Sequence, residues 1–469
     1  MLFSSFSFLF VFFPIVVILY YVFRFNKNAK NFVLLVASLL FYAWGEPRYV
    51  LLMISMIIIS YIFALLIQSY RKPRKKKSLK IYLLIAAIGI NLLLLVYFKY
   101  FNFILENVNL IFSTNFEMGN VVLPIGISFY SFQIISYLID VYRKKVKAQK
   151  NFLTYACYVS LFPQLIAGPI VRYKDVAKQM DTRVESLKNV AEGLRRFVIG
   201  LGKKIIISNN VAIVANDIFS MTNDEITTSI AWLGAISFSL QIYFDFSGYS
   251  DMAIGLGKIF GFKFLENFNY PYIATSITDF WRRWHMSLSS WFKDYVYIPL
   301  GGSKLGLKRQ IINLAIVWAL TGLWHGAAWN FVIWGLYFFI ILVIEKVFLL
   351  KYLNKVKGLN NIYTAVMISI GWVIFNCNSI DQILVFVGSM VNIFNFEFNI
   401  FETLNALHLI PYFIIGLICS LPIVPYIKNK FKDNIWLEFV ADIYSICIFV
   451  MCILFLVNNS YNPFIYFRF

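Results

Sequence analysis

The sequence predicts an all-α protein that crosses a lipid bilayer many times, and three observations carry that expectation. Of its 469 residues 60% are hydrophobic and only 14% charged, with a mean hydropathy of +0.72. A soluble domain has about 25% charged and about 45–50% apolar residues, so water is the wrong solvent for this chain. Apolar runs of about 18 residues or more recur, each long enough to cross ~30 Å of hydrocarbon as a helix. Basic residues fall in short loops between those runs, where they set orientation. No long polar stretch is left to fold in water, so residues 1–469 read as a single membrane domain.

Met1 to Phe23 lack a basic start and a small-residue cleavage site, and read as a retained first span. Apolar runs at 6–23, 31–45, 48–69, 81–101 and 120–142 follow in order. The loops between them alternate. Arg24–Lys30 is basic, Gly45–Arg48 nearly neutral, and Arg71–Lys77 strongly basic. Asn102–Asn120 contains Glu106 and Glu117 but no Lys or Arg, and Arg143–Lys150 is basic again. Every second loop is positive, which places those loops in the cytoplasm and Met1 outside.

Residues 151–170 are apolar but interrupted by Pro163, Gly168 and Pro169. Such breaks are tolerated at membrane depth only where backbone is buried in protein or lines a cavity, so a broken or re-entrant helix is expected. Residues 172–196 are polar and basic and read as one amphipathic cytoplasmic helix. Further apolar segments fall near 197–216, 229–248, 310–348, 362–376, 381–396, 408–427 and 436–457. The total is roughly eleven to thirteen membrane segments. No internal repeat supports an inverted-repeat transporter.

The net charge of +19 comes from 42 Lys+Arg against 23 Asp+Glu. Basic loops at a membrane surface account for it, and no nucleic-acid partner is expected. Cys157, Cys377, Cys419, Cys447 and Cys452 lie in apolar segments without CxxC spacing and read as small buried hydrophobes.

Histidine is scarce: His285, His325 and His408 are the three. His408 opens an apolar run without reactive neighbours and reads as a helix-end or interfacial residue. His285 lies in Asp279-Phe280-Trp281-Arg282-Arg283-Trp284-His285-Met286-Ser287-Leu288-Ser289. On a helix, Trp281 and Arg282 would share its face. An aromatic belt with snorkelling arginines would look similar. His325 stands in Leu320-Thr321-Gly322-Leu323-Trp324-His325-Gly326-Ala327-Ala328-Trp329-Asn330, between two apolar runs. Imidazole inside a membrane protein is expensive to bury and usually faces an internal cavity. Its ordinary pKa, about 6.5, suits it to take up and return a proton at neutral pH. Gly322 and Gly326 would let a substrate or a backbone approach closely; the alternative is a Gly-faced helix contact around a core histidine. GxSxG, HExxH and GxxxxGK[ST] patterns are absent, and no acidic cluster accompanies the histidines, so no metal site is expected.

Three segments together resemble the membrane-bound O-acyltransferase family: Trp281–Leu288, Asp294–Gly302 and Gly322–Asn330. Phe41–Gly45, Leu123–Tyr130, Phe162–Pro169 and Tyr243–Asp251 agree, so the resemblance covers nearly the whole chain. It is nearest to the bacterial branch of alginate and peptidoglycan O-acetyltransferases. The resemblance implies a ring of helices around a central tunnel in the bacterial cytoplasmic membrane, with acetyl-CoA as acyl donor entering from the cytoplasm. It matches His325 to the family's invariant histidine and His285 to its second polar position. The tail at 462–469 resembles the branch's F-x-Y-x-x-F ending, which makes Tyr466 a candidate acyl relay within the tunnel; Arg468 stands where the family usually has Gln. The resemblance further implies an extracytoplasmic SGNH-hydrolase-like partner and a polysaccharide as final acceptor. A D-alanyl transferase of teichoic-acid type, a membrane transporter or polysaccharide exporter, and a non-enzymatic scaffold remain the alternatives.

Overall fold

Helix is the regular structure open to a chain this apolar, because lipid offers its backbone no hydrogen-bond partner. The computed structural model describes residues 1–69, 77–119, 121–166, 168–392, 394–396, 404–431, 435–458 and 464–465, and among them every regular element is helical. Among the described residues six helices are long and apolar enough to cross a membrane: Tyr49–Ser69, Leu79–Phe112, Leu187–Phe219, Trp329–Leu353, Leu359–Asn376 and Glu438–Val457. Ser7–Val22, Ile380–Val391 and Leu407–Cys419 are shorter apolar helices. The chain is a polytopic all-α membrane protein.

The chain divides into two compact units. The first holds Met1–Phe197 and Met252–Leu265. It contains α1 (Ser7–Val22), α2 (Lys27–Gly45), α3 (Tyr49–Ser69), α4 (Lys77–Phe112) and α5 (Ile127–Tyr142). Left-handed Gly126 starts α5, and a Cβ there would stand 2.9 Å from the carbonyl oxygen of Leu165, a position that favours glycine twice over. Nearly every residue of α5 is buried, including Ser131, Gln133, Ser136 and Asp140, which makes it an inner helix of this unit. The predicted break is present: α6 (Phe152–Ser160) and α7 (Phe162–Leu165) are separate helices, with Pro163 in the first turn of the second.

The single amphipathic helix expected over 172–196 is corrected to two pieces. α8 (Tyr173–Thr182) stops, and α9 (Leu187–Phe219) runs on without interruption into the next apolar segment. Between them Arg183 and Glu185 turn inward. Arg183 donates from Nε to the Tyr20 hydroxyl (2.8 Å) and from Nη1 to Asn31 Oδ1 (2.7 Å), and Lys30 pairs with Glu185 at 2.7 Å. A helix through 183–186 would forgo those bonds. No proline lies between 187 and 219 to end α9.

The second unit holds Val198–Asp251 and Glu266–Phe469. α10 (Thr228–Ile259) runs beyond its expected end at 248, and its last turns belong to the first unit. After it come α11 (Ile277–Arg283), α12 (Met286–Phe292), α13 (Gly306–His325), α14 (Trp329–Leu353), α15 (Leu359–Asn376), α16 (Ile380–Val391), α17 (Leu407–Cys419), α18 (Ile423–Lys430) and α19 (Ile435–Asn458). The apolar segment expected at 310–348 is thus a helix pair, turned at Gly326–Ala328. α13 and α14 pack at backbone range. A Cβ at Gly322 would sit 2.5 Å from the carbonyl oxygen of Phe331, and one at Gly335 would sit 2.6 Å from that of Trp318. Cys157, Cys377 and Cys452 are buried as expected, but Cys419 and Cys447 are exposed, on helix faces that the apolar run alone does not distinguish.

Candidate active site

The second unit brings His285 and His325 into one aromatic cluster. The Trp324 ring lies 5.7 Å from the His285 ring and 4.9 Å from the His325 ring. Sequence separation gives no hint of this, since the two histidines belong to different helix pairs.

His285 is held by a turn and not by a helix, which corrects the expectation that it shares a helical face with Trp281 and Arg282. α11 ends at Arg283, and His285 adopts left-handed φ 43° as the residue before α12. The left-handed region is sparsely used by residues other than glycine, so neighbouring bonds must hold it there. They come from the segment before α11: Asn269 N–H donates to Arg283 O and Met286 N–H to Asn267 O, both at 2.9 Å. α11 itself is anchored at its N-terminus. Ser276 Oγ accepts from Asp279 N–H at 3.0 Å. The carboxylate of Glu345 accepts from Ile277 N–H (2.6 Å), Thr278 N–H (2.8 Å) and Thr278 Oγ1 (2.7 Å). Glu345 has no exposed surface. Its charge therefore meets the positive end of the helix that leads to His285.

The His285 ring is 1% exposed. Nδ1 lies 3.1 Å from Asn267 Oδ1, and the Phe246 ring meets the imidazole edge to face at 4.7 Å. Nε2 is buried and has no hydrogen-bond partner among the described residues. An imidazole so desolvated, beside aromatic rings and amides, stays in its neutral form.

His325 closes α13 and is 5% exposed. Besides Trp324 it meets Trp334 at 4.9 Å and Phe375 at 5.2 Å. Asn330 Nδ2 donates to Phe375 O at 2.9 Å, tying the start of α14 to the end of α15 on either side of the ring. The flanking glycines do not open onto a substrate. Gly322 admits the α14 backbone, and Gly326 lies against the Phe331 ring, so both serve the helix contact. Two buried imidazoles near one indole can accept and return protons without first shedding bulk water.

Tyr466 lies outside the described residues. Its two predecessors do not, and they dock in the second unit. Ile465 N–H donates to Asp245 Oδ2 at 2.7 Å, and the Phe464 ring packs on Tyr249 at 4.7 Å. Asp245 also pairs with Lys204 at 2.5 Å, with both side chains almost fully buried, and the Lys204 ammonium stands 5.9 Å from the Phe464 ring centre. His408 is exposed, in the short helical turn Leu407–Leu409. No group of three or more His, Cys, Asp or Glu able to hold a metal occurs among the described residues.

Asn267, Glu345 and the Lys204–Asp245 pair were not singled out from the sequence. Glu345 carried a usable signal, being an acidic residue within an otherwise apolar run, where an ionisable group is expensive and usually has a task. Asn267 carried none, because its partner stands 18 positions away.

Comparison with known proteins identifies the family. Residues 143–381, which include both histidines, match the family model described as MBOAT, membrane-bound O-acyltransferase family. The chain is 38% identical to a probable alginate O-acetylase AlgI of Pseudomonas putida, over 100% of both chains. It is 42% identical to the protein of that name from Pseudomonas aeruginosa, covering 81% of this chain and 73% of the relative. Similarity to a peptidoglycan O-acetyltransferase of Helicobacter pylori is 35%, over 84% and 80% respectively.

Proposed function

Because the chain belongs to the membrane-bound O-acyltransferase family, we propose that it moves acetyl groups from cytoplasmic acetyl-CoA across the membrane for O-acetylation of an extracytoplasmic polysaccharide. The observation that carries the reading is the convergence of His285 and His325 on Trp324 within one buried cluster. The setting is the bacterial cytoplasmic membrane with Met1 outside, so that the basic loops meet the phosphates of the donor.

His325 acts as general base. It takes the proton of an acceptor hydroxyl as that oxygen attacks the thioester carbonyl carbon. The carbon–sulfur bond then breaks, and the proton passes to the departing thiolate, leaving free CoA and an acetyl ester. His285 positions the donor or the acceptor. Tyr466 is the proposed first acceptor. A phenol is a weak nucleophile at its usual pKa of about 10 and needs such a base. Docking of Phe464 and Ile465 on Tyr249 and Asp245 supports a tail held in the same unit as the histidines. The acetyl group then passes to an SGNH-hydrolase-like partner on the outer side.

The test is substitution with the fold monitored. His325→Ala should leave an inserted protein whose acetyl transfer falls by roughly 10²-fold or more, the usual yield of general base catalysis. Undiminished transfer removes the assignment. Tyr466→Phe keeps the ring and deletes the nucleophile. Unimpaired delivery to the outer side would exclude the relay while leaving the histidine chemistry intact.

A further inference from the structure

Asn267 faces the His285 segment with one oxygen. Asn267 Oδ1 lies 3.2 Å from the backbone N–H of Ser287, 2.8 Å from Ser287 Oγ and 3.1 Å from His285 Nδ1. On its other side Asn267 Nδ2 donates to Ser250 Oγ at 3.1 Å. The oxygen and nitrogen of an amide are exchangeable in most settings, but here a backbone N–H decides between them. Were the amide reversed, its NH₂ would meet the Ser287 N–H donor to donor. The oxygen must face Ser287, and the imidazole nitrogen beside it must then be a donor. Ser287 Oγ, 3.4 Å from Nδ1, does not compete, because its single proton is directed to Asn267 Oδ1 at the shorter distance.

We infer that Asn267 is a positioning residue that fixes His285 in the tautomer with its proton on Nδ1 and its lone pair on Nε2. That leaves Nε2, buried and without a partner among the described residues, as a hydrogen-bond acceptor that can hold the hydroxyl of the acyl acceptor. Phe246 on α10 and Trp324 on α13 also meet the ring, and neither brings a charge to it. Orientation of a histidine through its second nitrogen commonly comes from a carboxylate or a carbonyl. In this turn an amide oxygen does it, without introducing a charge that would have to be buried. The left-handed backbone at His285 is part of the same arrangement. It allows Nδ1 and the next two residues, Met286 and Ser287, to reach Asn267 together. The catalytic consequence, though not the tautomer, rests on the acyl-transfer reading given above.

The chain has only three histidines, so ¹⁵N-histidine labelling of the full-length protein in bilayers gives a readable spectrum. The His325→Gln/His408→Gln double variant leaves the His285 signal alone, and subtraction of a His285→Gln spectrum provides a second assignment. The expected result at neutral pH is a neutral ring, protonated at Nδ1 and bare at Nε2. A proton on Nε2, or an imidazolium, overturns the inference while leaving the proposed function standing. Asn267→Asp keeps an acceptor oxygen and should keep the proton on Nδ1. Asn267→Leu removes the acceptor; the tautomer preference should vanish and kcat should fall by roughly 10²-fold with KM little changed, the signature of a misoriented imidazole at the reacting hydroxyl. The tautomer as stated together with full activity in Asn267→Leu overturns the positioning role and, with it, His285 as a participant in the chemistry.

Discussion

At the scale of single residues, the site depends on polar groups that are buried with a defined partner. Glu345 is the clearest. Its carboxylate receives two backbone N–H groups and one hydroxyl at the start of α11, the helix that delivers Trp284 and His285. Glu345→Ala orphans those donors, each at ~1–3 kcal/mol when buried. The variant should lose about 2–4 kcal/mol of stability, seen as a lower melting temperature in detergent, and its acetyl transfer should fall. Glu345→Gln retains an acceptor and should lie between the two. Equal melting of all three proteins would show that the carboxylate does not hold α11. Glu185 acts in the same manner in the first unit. Burial pushes its carboxyl pKa up, but the Lys30 ammonium and the Tyr20 hydroxyl more than offset this and hold it below the ordinary glutamate value. A carboxylate whose pKa is lowered by folding gives stability that is complete above its unfolded pKa of about 4.3 and is lost as pH falls through the folded value. Acidification from neutrality toward that range should therefore lower the melting temperature of the native protein more than that of Glu185→Gln. Identical acid profiles would contradict this.

At the scale of elements, the seam between α13 and α14 sets where His325 stands. Gly322 and Gly335 bring the two backbones to contact, and no side chain fits at either place without moving a carbonyl. Gly322→Val should destabilise by about 1–3 kcal/mol through overpacking. Because α13 ends at His325, transfer should fall by more than the loss of folded protein explains. A folded Gly322→Val protein with native activity would show that the seam does not position the imidazole. Much of this scale was legible in the sequence. The apolar runs became helices near their expected places, and Pro163, Gly168 and Pro169 marked a real break. What escaped was governed by bonds far apart in sequence. The stop at Thr182 is dictated by Glu185 reaching Lys30, 155 positions away. The turn at His285 has a helical composition on either side, yet Met286 N–H is taken by Asn267 O. Neither contact leaves a local periodic trace. The glycines near His325 showed that something approaches closely, and only the packing shows it to be α14.

At the scale of the whole molecule, the chain is an O-acyltransferase with many membrane crossings and two buried histidines on one indole. The proposed transport of acetyl, as distinct from acetylation on one side, belongs to this scale because it needs donor and acceptor on opposite faces of the bilayer. The most direct measurement uses sealed vesicles that hold the purified protein in one orientation, with acetyl-labelled CoA supplied only to the cytoplasmic face. Label should appear as an ester on Tyr466 or on an acceptor confined to the opposite side, with free CoA left where the donor was added, and His325→Ala should abolish it. Intact labelled thioester after prolonged incubation with an accessible acceptor, or equal labelling by His325→Ala, would contradict the account.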